Sequence, residues 1–536
     1  MHDYVLGTIK ILGIVRALTM NCGGLFSWGR HDAQDLFSYG VVVSSSDLSL
    51  SLPGTKQPPK CSRGSFARLV PLKTPTDEAR LGQGGIMDTF KYSGPVVRGV
   101  ATLGLALALS VLAANSHHHL DAAKDLGPGQ SPNLIVDANG NVDLSFLQTG
   151  TAGNVMFARS MHGRGTFDVD PVTTPGPVFS VAMGVDGQGA ISLLWEDGKG
   201  GTFFGNSING GKKFLLTDIS RLVSNGSIPQ LNVSASGLID LSQSSRATGR
   251  IGIISMVLTD RGTKSRTPVL VASDVKDVVF GGVAAVGAEG QIYVAWQMQS
   301  EVVPECAIMV SRSLDGGMTF STPLNVSNNP NECGQFPQLF VDSADRVNIA
   351  WTTVPGFSDN NGTLVNPNEL YFARSTDQGA TFSKPTALVG INEFTGLGDD
   401  FSGVGDPQIA VERDGAIDIV FDANTPTDMM ALFARSTDGG ATFSTPVTLA
   451  TGGASTPTVA IDGCGGINVV WAGTTGVFLS RSTDGSTFTT PTNLSNANQV
   501  DFSPLIVTDV KGSAYIVWED STDVFFQRVK VCPGNF

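Results

Sequence analysis

A 536-residue chain with 64 glycines, 41% hydrophobic residues and only 15% charged ones has the make-up of a turn-rich all-β protein with a large buried core. Its net charge of −14 argues against nucleic acid and anionic membrane surfaces as partners, and no Lys/Arg run offsets it. No glycine-rich phosphate loop follows a strand and opens a helix, so the sequence offers nothing to a nucleotide.

Residues 1–86 carry no repeat and read as an over-extended or disordered N-terminal region. From Met87 the order changes. Lys91 and Arg98 precede a smooth apolar run, 100–114, which ends in small residues before a polar segment. That is the order of a secretory signal peptide, here 87–116, and the run is short for a membrane span of ~20 residues. A secreted or surface protein is expected, with membrane attachment only if this segment stays uncleaved. Residues 117–131, including His117 to His119, read as a linker.

Everything from residue 132 to 536 is built on one unit. A short run led by proline is followed by an acidic glycine-containing turn, then a second run ending in an aromatic, a loop, a third run and a recurring turn. The aromatic recurs in phase as Phe146, Trp195, Trp296, Trp351, Phe421, Trp471 and Trp518, so five of the six tryptophans are core anchors. The turn reads RSLDGGMTFSTP from Arg312, RSTDQGATFSKP from Arg374, RSTDGGATFSTP from Arg435 and RSTDGSTFTTP from Arg481. Its Ser313/Asp315, Ser375/Asp377, Ser436/Asp438 and Ser482/Asp484 pairs suit hydrogen bonds to the backbone of a tight turn, and its glycines permit positive φ. In the first two units His162 and Asn209 stand where the aspartate belongs, and the third unit is barely recognisable.

This S-x-D-x-G-x-T-F pattern resembles the Asp-box, or bacterial neuraminidase repeat, of the sialidase superfamily. The resemblance implies a β-propeller of four-stranded blades, each box bridging the two outer strands. The units, near 132–176, 178–220, 229–272, 278–327, 336–389, 406–450, 456–495 and 503–531, fit seven or eight blades. The last has three runs, and no convincing fourth strand stands out near 120–131.

In such a blade the boxes and first-to-second turns share one face of the disc, while the second-to-third loops and the crossings between blades share the other. The long insertions, 297–306, 328–335, 352–369, 391–406, 422–428 and 519–523, all fall on the latter. Binding sites favour long loops on rigid scaffolds. The candidate ligand-binding residues are therefore the loop acids Glu301, Glu305, Asp359, Glu393, Asp399, Asp400, Asp406, Asp422, Asp428, Glu519 and Asp520, of a kind that suits Ca²⁺ or paired-carboxylate work on a glycan. The plainer alternative is a solvated acidic rim. Export predicts disulfides Cys306–Cys333 and Cys464–Cys532.

A sialidase of this superfamily is expected to hold a sialate carboxylate with three arginines from different blades and to use a Tyr/Glu nucleophile pair. Here Arg159, Arg312, Arg374, Arg435, Arg481 and Arg528 all share one repeat position beside the box, which makes them structural. Tyr293, Tyr371 and Tyr515 lie inside apolar strand patterns. Two functions follow: a propeller that binds a glycan or extracellular protein through its long-loop face, or a glycoside hydrolase using loop carboxylates.

Overall fold

The computed structural model describes residues 39–42, 68–71 and 121–532, apart from 151–152, 173–176, 224–228, 246–251, 274–276, 301–305, 329–333, 354–368, 389–404, 406, 426–427 and 496–501. The proposed signal segment, 87–116, lies outside the described residues. Near the N-terminus Tyr39–Val42 pairs antiparallel with Arg68–Pro71. The remainder forms a separate unit from Ser116 onward.

That unit is an eight-bladed β-propeller. Blade 1 runs through Gln130–Val136, Val142–Leu147, Val155–Ser160 and Asp168–Val172. Blades 2 to 7 open with Val178–Val185, Gln230–Val233, Asp277–Val286, Gly334–Val341, Gln408–Val411 and Ser455–Ile461, and each continues outward as an antiparallel meander. Blade 8 takes three strands, Phe502–Thr508, Ser513–Glu519 and Asp523–Lys530, from the C-terminal end of the chain, and its outermost, Lys124–Pro128, from residues ahead of blade 1. The first strands touch one another in an unbroken ring, blade 8 against blade 1 included. Eight is therefore the blade number, and the missing fourth strand is KDLGP. Its glycine, proline and register shift between Asp125 and Pro128 hide it from any strand pattern.

The second strand of each blade is buried on both faces, as a strand between two neighbouring sheets must be. Trp195, Trp296, Trp351, Trp471 and Trp518 are each 2% exposed or less. In blade 3 that position holds Gln243, also buried, which is why this unit is barely legible. Three residues before the aromatic sits a buried polar belt, cross-strand from the repeat arginine: Asp143 opposite Arg159, Asn348 opposite Arg374, Asp418 opposite Arg435 and Asn468 opposite Arg481. Arg159 Nε bonds Asp143 at 2.6 Å, and Arg374 Nε bonds Asn348 at 2.8 Å. Arg435 bridges Glu412 and Asp418, while Arg481 reaches Asp462. The arginines are structural, as their shared position implied.

The serine–aspartate turns join the third and fourth strands, as expected. In blade 6, Ser436 Oγ donates to Asp438 at 2.8 Å and accepts from Gly440 N, while Asp438 takes both the N–H and the hydroxyl of Thr442. These bonds pull the Asp438 carboxyl down to about 2. The turn also grips the preceding blade. Gly440, at φ 92°, leaves no room for a Cβ beside Phe372, and Phe443 packs edge-on against the same ring at 5.4 Å. Phe488 meets Phe433 in the same way, and Phe167 meets Phe526 across the joint that closes the ring. Cys464, in the first-to-second turn of blade 7, is bonded to Cys532, beyond the third strand of blade 8. Cys306 is disulfide-bonded too, and Cys333, its expected partner, lies outside the described residues.

Candidate functional site at the loop-bearing mouth of the channel

The chain enters each blade from the loop-bearing face, so the starts of the first strands encircle the channel mouth there. Six of the eight first strands are bulged at that point. Register with the second strand slips between Gln130 and Asn133, Val178 and Ser180, Phe280 and Val283, Gln335 and Gln338, Ser455 and Thr458, and Phe502 and Leu505. A bulge leaves an extra residue unpaired and turns it out of the ladder. At four blades this residue is non-glycine yet left-handed: Ser131 (φ 53°), Phe336 (50°), Thr456 (47°) and Ser503 (49°). Each is exposed and followed by a buried proline, Pro132, Pro337, Pro457 or Pro504, which removes a ladder N–H and keeps its predecessor out of the helical region. Such conformations cost of order 1–3 kcal/mol each and gather at functional sites.

The bulges differ in what they present. Blades 1, 7 and 8 offer the hydroxyl residues Ser131, Thr456 and Ser503, whereas blades 2 and 5 offer Phe179, 67% exposed, and Phe336, 57% exposed. Bonds between first strands stiffen the ring beneath them. Asn133 Nδ2 donates to Val181 O at 3.0 Å, and Thr458 Oγ1 to Pro504 O at 3.1 Å. Glu519, at the end of the second strand of blade 8, accepts the N–H of Ser131 across the closing joint. Burial pushes the Glu519 carboxyl up, and that N–H offsets only part of the shift.

Four of the eleven candidate acids fall on described residues. Asp428 accepts from Gly452 N at 2.6 Å and Gly453 N at 3.2 Å, fastening the end of its own blade. Asp520 caps its hairpin through Thr522 and Asp523, whose N–H groups outweigh burial and lower its pKa. Asp422 lies against Gly405, where a Cβ would strike its carboxylate. Asp422 and Glu519 hold the same repeat position, directly after the aromatic at the mouth end of the second strand, in blades 6 and 8. Glu301, Glu305, Asp359, Glu393, Asp399, Asp400 and Asp406 lie outside the described residues. Sequence reasoning missed the bulge residues, although the recurring Ser-Pro, Thr-Pro and Phe-Pro dipeptides at unit starts were their signal.

A tyrosine–glutamate pair does exist: Tyr371 Oη donates to Glu369. Tyr371 nevertheless fills a repeat position. It stacks on Trp351 at 5.8 Å, as Phe203 stacks on Trp195, Phe478 on Trp471 and Phe525 on Trp518. Its ring is packing first. On the opposite face a cleft of about 380 Å³ opens among the first-to-second turns of blades 6 to 8. Of its four carboxylates, Asp414, Asp462 and Asp509 are taken up by their own turns' N–H groups and Glu412 by Arg435. Among the described residues the one cluster with metal-ligand character, Asp462, Cys464 and Cys532, has both sulfurs in the disulfide.

No known protein family matches the sequence, and no curated protein does. Among solved structures the chain is similar to a polysaccharide lyase, an ulvan lyase bound to -[GlcA(1-4)Rha3S]-, at 14% identity and TM-score 0.44, over 68% of this chain and 94% of that one. It is also similar to the NanB sialidase from Streptococcus pneumoniae, at 12% identity and TM-score 0.35 over 77% and 93%. A Hadza microbial sialidase matches at 14% identity and TM-score 0.36 over 78% and 97%.

Proposed function

We propose that this protein is a secreted, sialidase-like Asp-box propeller that binds a glycan at the loop-bearing mouth of its channel. The observation that supports this reading above all is the ring of bulges, because repeated left-handed non-glycine residues persist only where the surrounding structure enforces them. Phe179 and Phe336 offer flat apolar faces for the C–H side of a sugar ring, and Ser131, Thr456, Ser503 and Glu519 offer hydrogen bonds beside them. The bonded cysteines Cys306, Cys464 and Cys532 support an oxidising, exported setting. Binding is favoured over hydrolysis because Asp428 and Asp520 are committed to turns and Tyr371 to a packing position.

The test is a glycan array of neutral and acidic oligosaccharides probed with the full chain, followed by titration of the best ligand. Phe179→Ala and Phe336→Ala are each expected to weaken binding about tenfold, the loss of ~1–2 kcal/mol of aromatic contact, with melting unchanged. A blank array, or variants that bind like the parent, would sink the reading.

A further inference from the structure

The face bearing the serine–aspartate turns is not uniform. The four intact turns, 313–320, 375–382, 436–443 and 482–488, hold one aspartate each and no cation. The degenerate turns of blades 1 to 3, 160–167, 207–214 and 259–266, hold Arg164, Lys212, Lys213, Arg261, Lys264 and Arg266 against the single acid Asp260. Six cations minus one carboxylate give +5 in three neighbouring turns, on a chain whose net charge is −14. All six cations are exposed. Lys264 pairs with Asp260 at 2.7 Å, and Arg266 donates to Gly316 O in the turn of blade 4, where the arc ends.

Apolar side chains stand among these charges. Where blades 5 to 7 place Thr376, Thr437 and Thr483 after the turn serine, blades 1, 2 and 4 place Met161, Ile208 and Leu314, which are 54%, 59% and 52% exposed. Met318 adds 59%, and Leu215 and Leu216, directly after Lys212-Lys213-Phe214, add 51% and 41%. The expectation from net charge, that anionic surfaces are excluded, overlooked this arc because its cations are separated by some fifty residues per blade.

We propose that the turns of blades 1 to 3 dock onto an anionic lipid surface, the lysines and arginines facing acidic headgroups while Met161, Ile208, Leu215 and Leu216 enter the interface. Charge complementarity selects an anionic partner, and the apolar tips select a lipid bilayer over a soluble polyanion, which has no acyl layer to receive them. The intact turns are excluded from the same role by their aspartates, which their own hydrogen bonds keep ionised. This surface lies on the face opposite the channel mouth proposed for glycans, so a membrane-docked molecule presents that mouth outward.

The experiment is co-sedimentation of the full chain with vesicles of phosphatidylcholine alone or mixed with phosphatidylglycerol. Binding is expected only to the mixed vesicles and is released by added salt. The double variant Lys212→Glu/Lys213→Glu should lose it by about tenfold or more, since each basic residue near such a surface contributes on the order of fivefold. Ile208→Ser/Leu215→Ser should weaken it severalfold while leaving its salt dependence in place. All these positions are exposed, and unchanged melting confirms folding; Lys384→Glu, beside the intact turn of blade 5, should bind like the parent. Sedimentation that is absent, indifferent to headgroup charge or unaffected by the lysine reversals overturns the proposal. So does tight binding to heparin with no binding to acidic vesicles, which would assign the arc to a polysaccharide.

Discussion

Blades 4 to 7 and blades 1 to 3 solve the same joint in two ways. In the former the aspartate closes the turn, and where the trailing phenylalanine reaches the previous blade it packs on a ring there, as Phe443 does on Phe372. In the latter the aspartate has gone. Asn209 replaces it in blade 2, taking the Ser207 hydroxyl at 2.9 Å and the Lys213 N–H at 3.1 Å. His162 and Arg261 sit left-handed at φ 52° and 60°, and only the glycine contact survives throughout: Gly163 against Tyr515, Gly211 against Phe157, Gly262 against Phe204. The joint between blades therefore needs close backbone approach more than it needs the aspartate. Once the aspartate is dispensable, the turn is free to carry another chemistry.

The largest effect is expected from removing a turn aromatic. Phe443→Ala, at an 8% exposed position, should cost about 3 kcal/mol in chemical denaturation. Arg266→Ala, where the third turn has no aromatic, removes only an exposed bond to Gly316 O and should cost about 1 kcal/mol or less. Equal costs would break the contrast.

A second difference lies in the polar belt. In blade 3 the belt residue Asp240 faces Val257 rather than an arginine, and its partners include the hydroxyls of Ser242 and Ser255. Burial pushes its carboxyl to about 6 against the pull of those hydrogen bonds. Because the folded state holds this proton more tightly than the unfolded chain, the stability it lends is full below about pH 4. It is lost as pH rises through about 6. Asp240→Asn should flatten that window and gain up to ~3 kcal/mol relative to the parent between pH 4 and pH 7; pH-resolved melting of the two proteins checks it. Parallel curves would show that Asp240 does not titrate there.

Much of this architecture was readable from residues alone, since period-fixed tryptophans and turn motifs repeat strongly enough to place blade starts within a few positions. What escaped were features set by geometry across blades. Lys124–Pro128 is a strand only because Phe525 and Phe526 offer a free edge. The bulged mouth depends on prolines whose meaning appears once the first strands form a ring. The basic arc joins cations that are distant in sequence and adjacent in space. The acidic loop residues were legible as a composition, but Asp428 and Asp520 proved to be fasteners of their own hairpins, a role that net charge cannot distinguish from ligand binding.

One further effect bears most directly on the division between scaffold and mouth. Asp438→Ala removes the acceptor of the Thr442 N–H and hydroxyl and should lower stability by about 1–2 kcal/mol. The decisive measurement is the affinity of this variant, at a temperature where it is fully folded, for the glycan selected by the array. Affinity equal to that of the parent is predicted; a loss comparable to that of Phe336→Ala would place the binding chemistry in the turns and contradict the account.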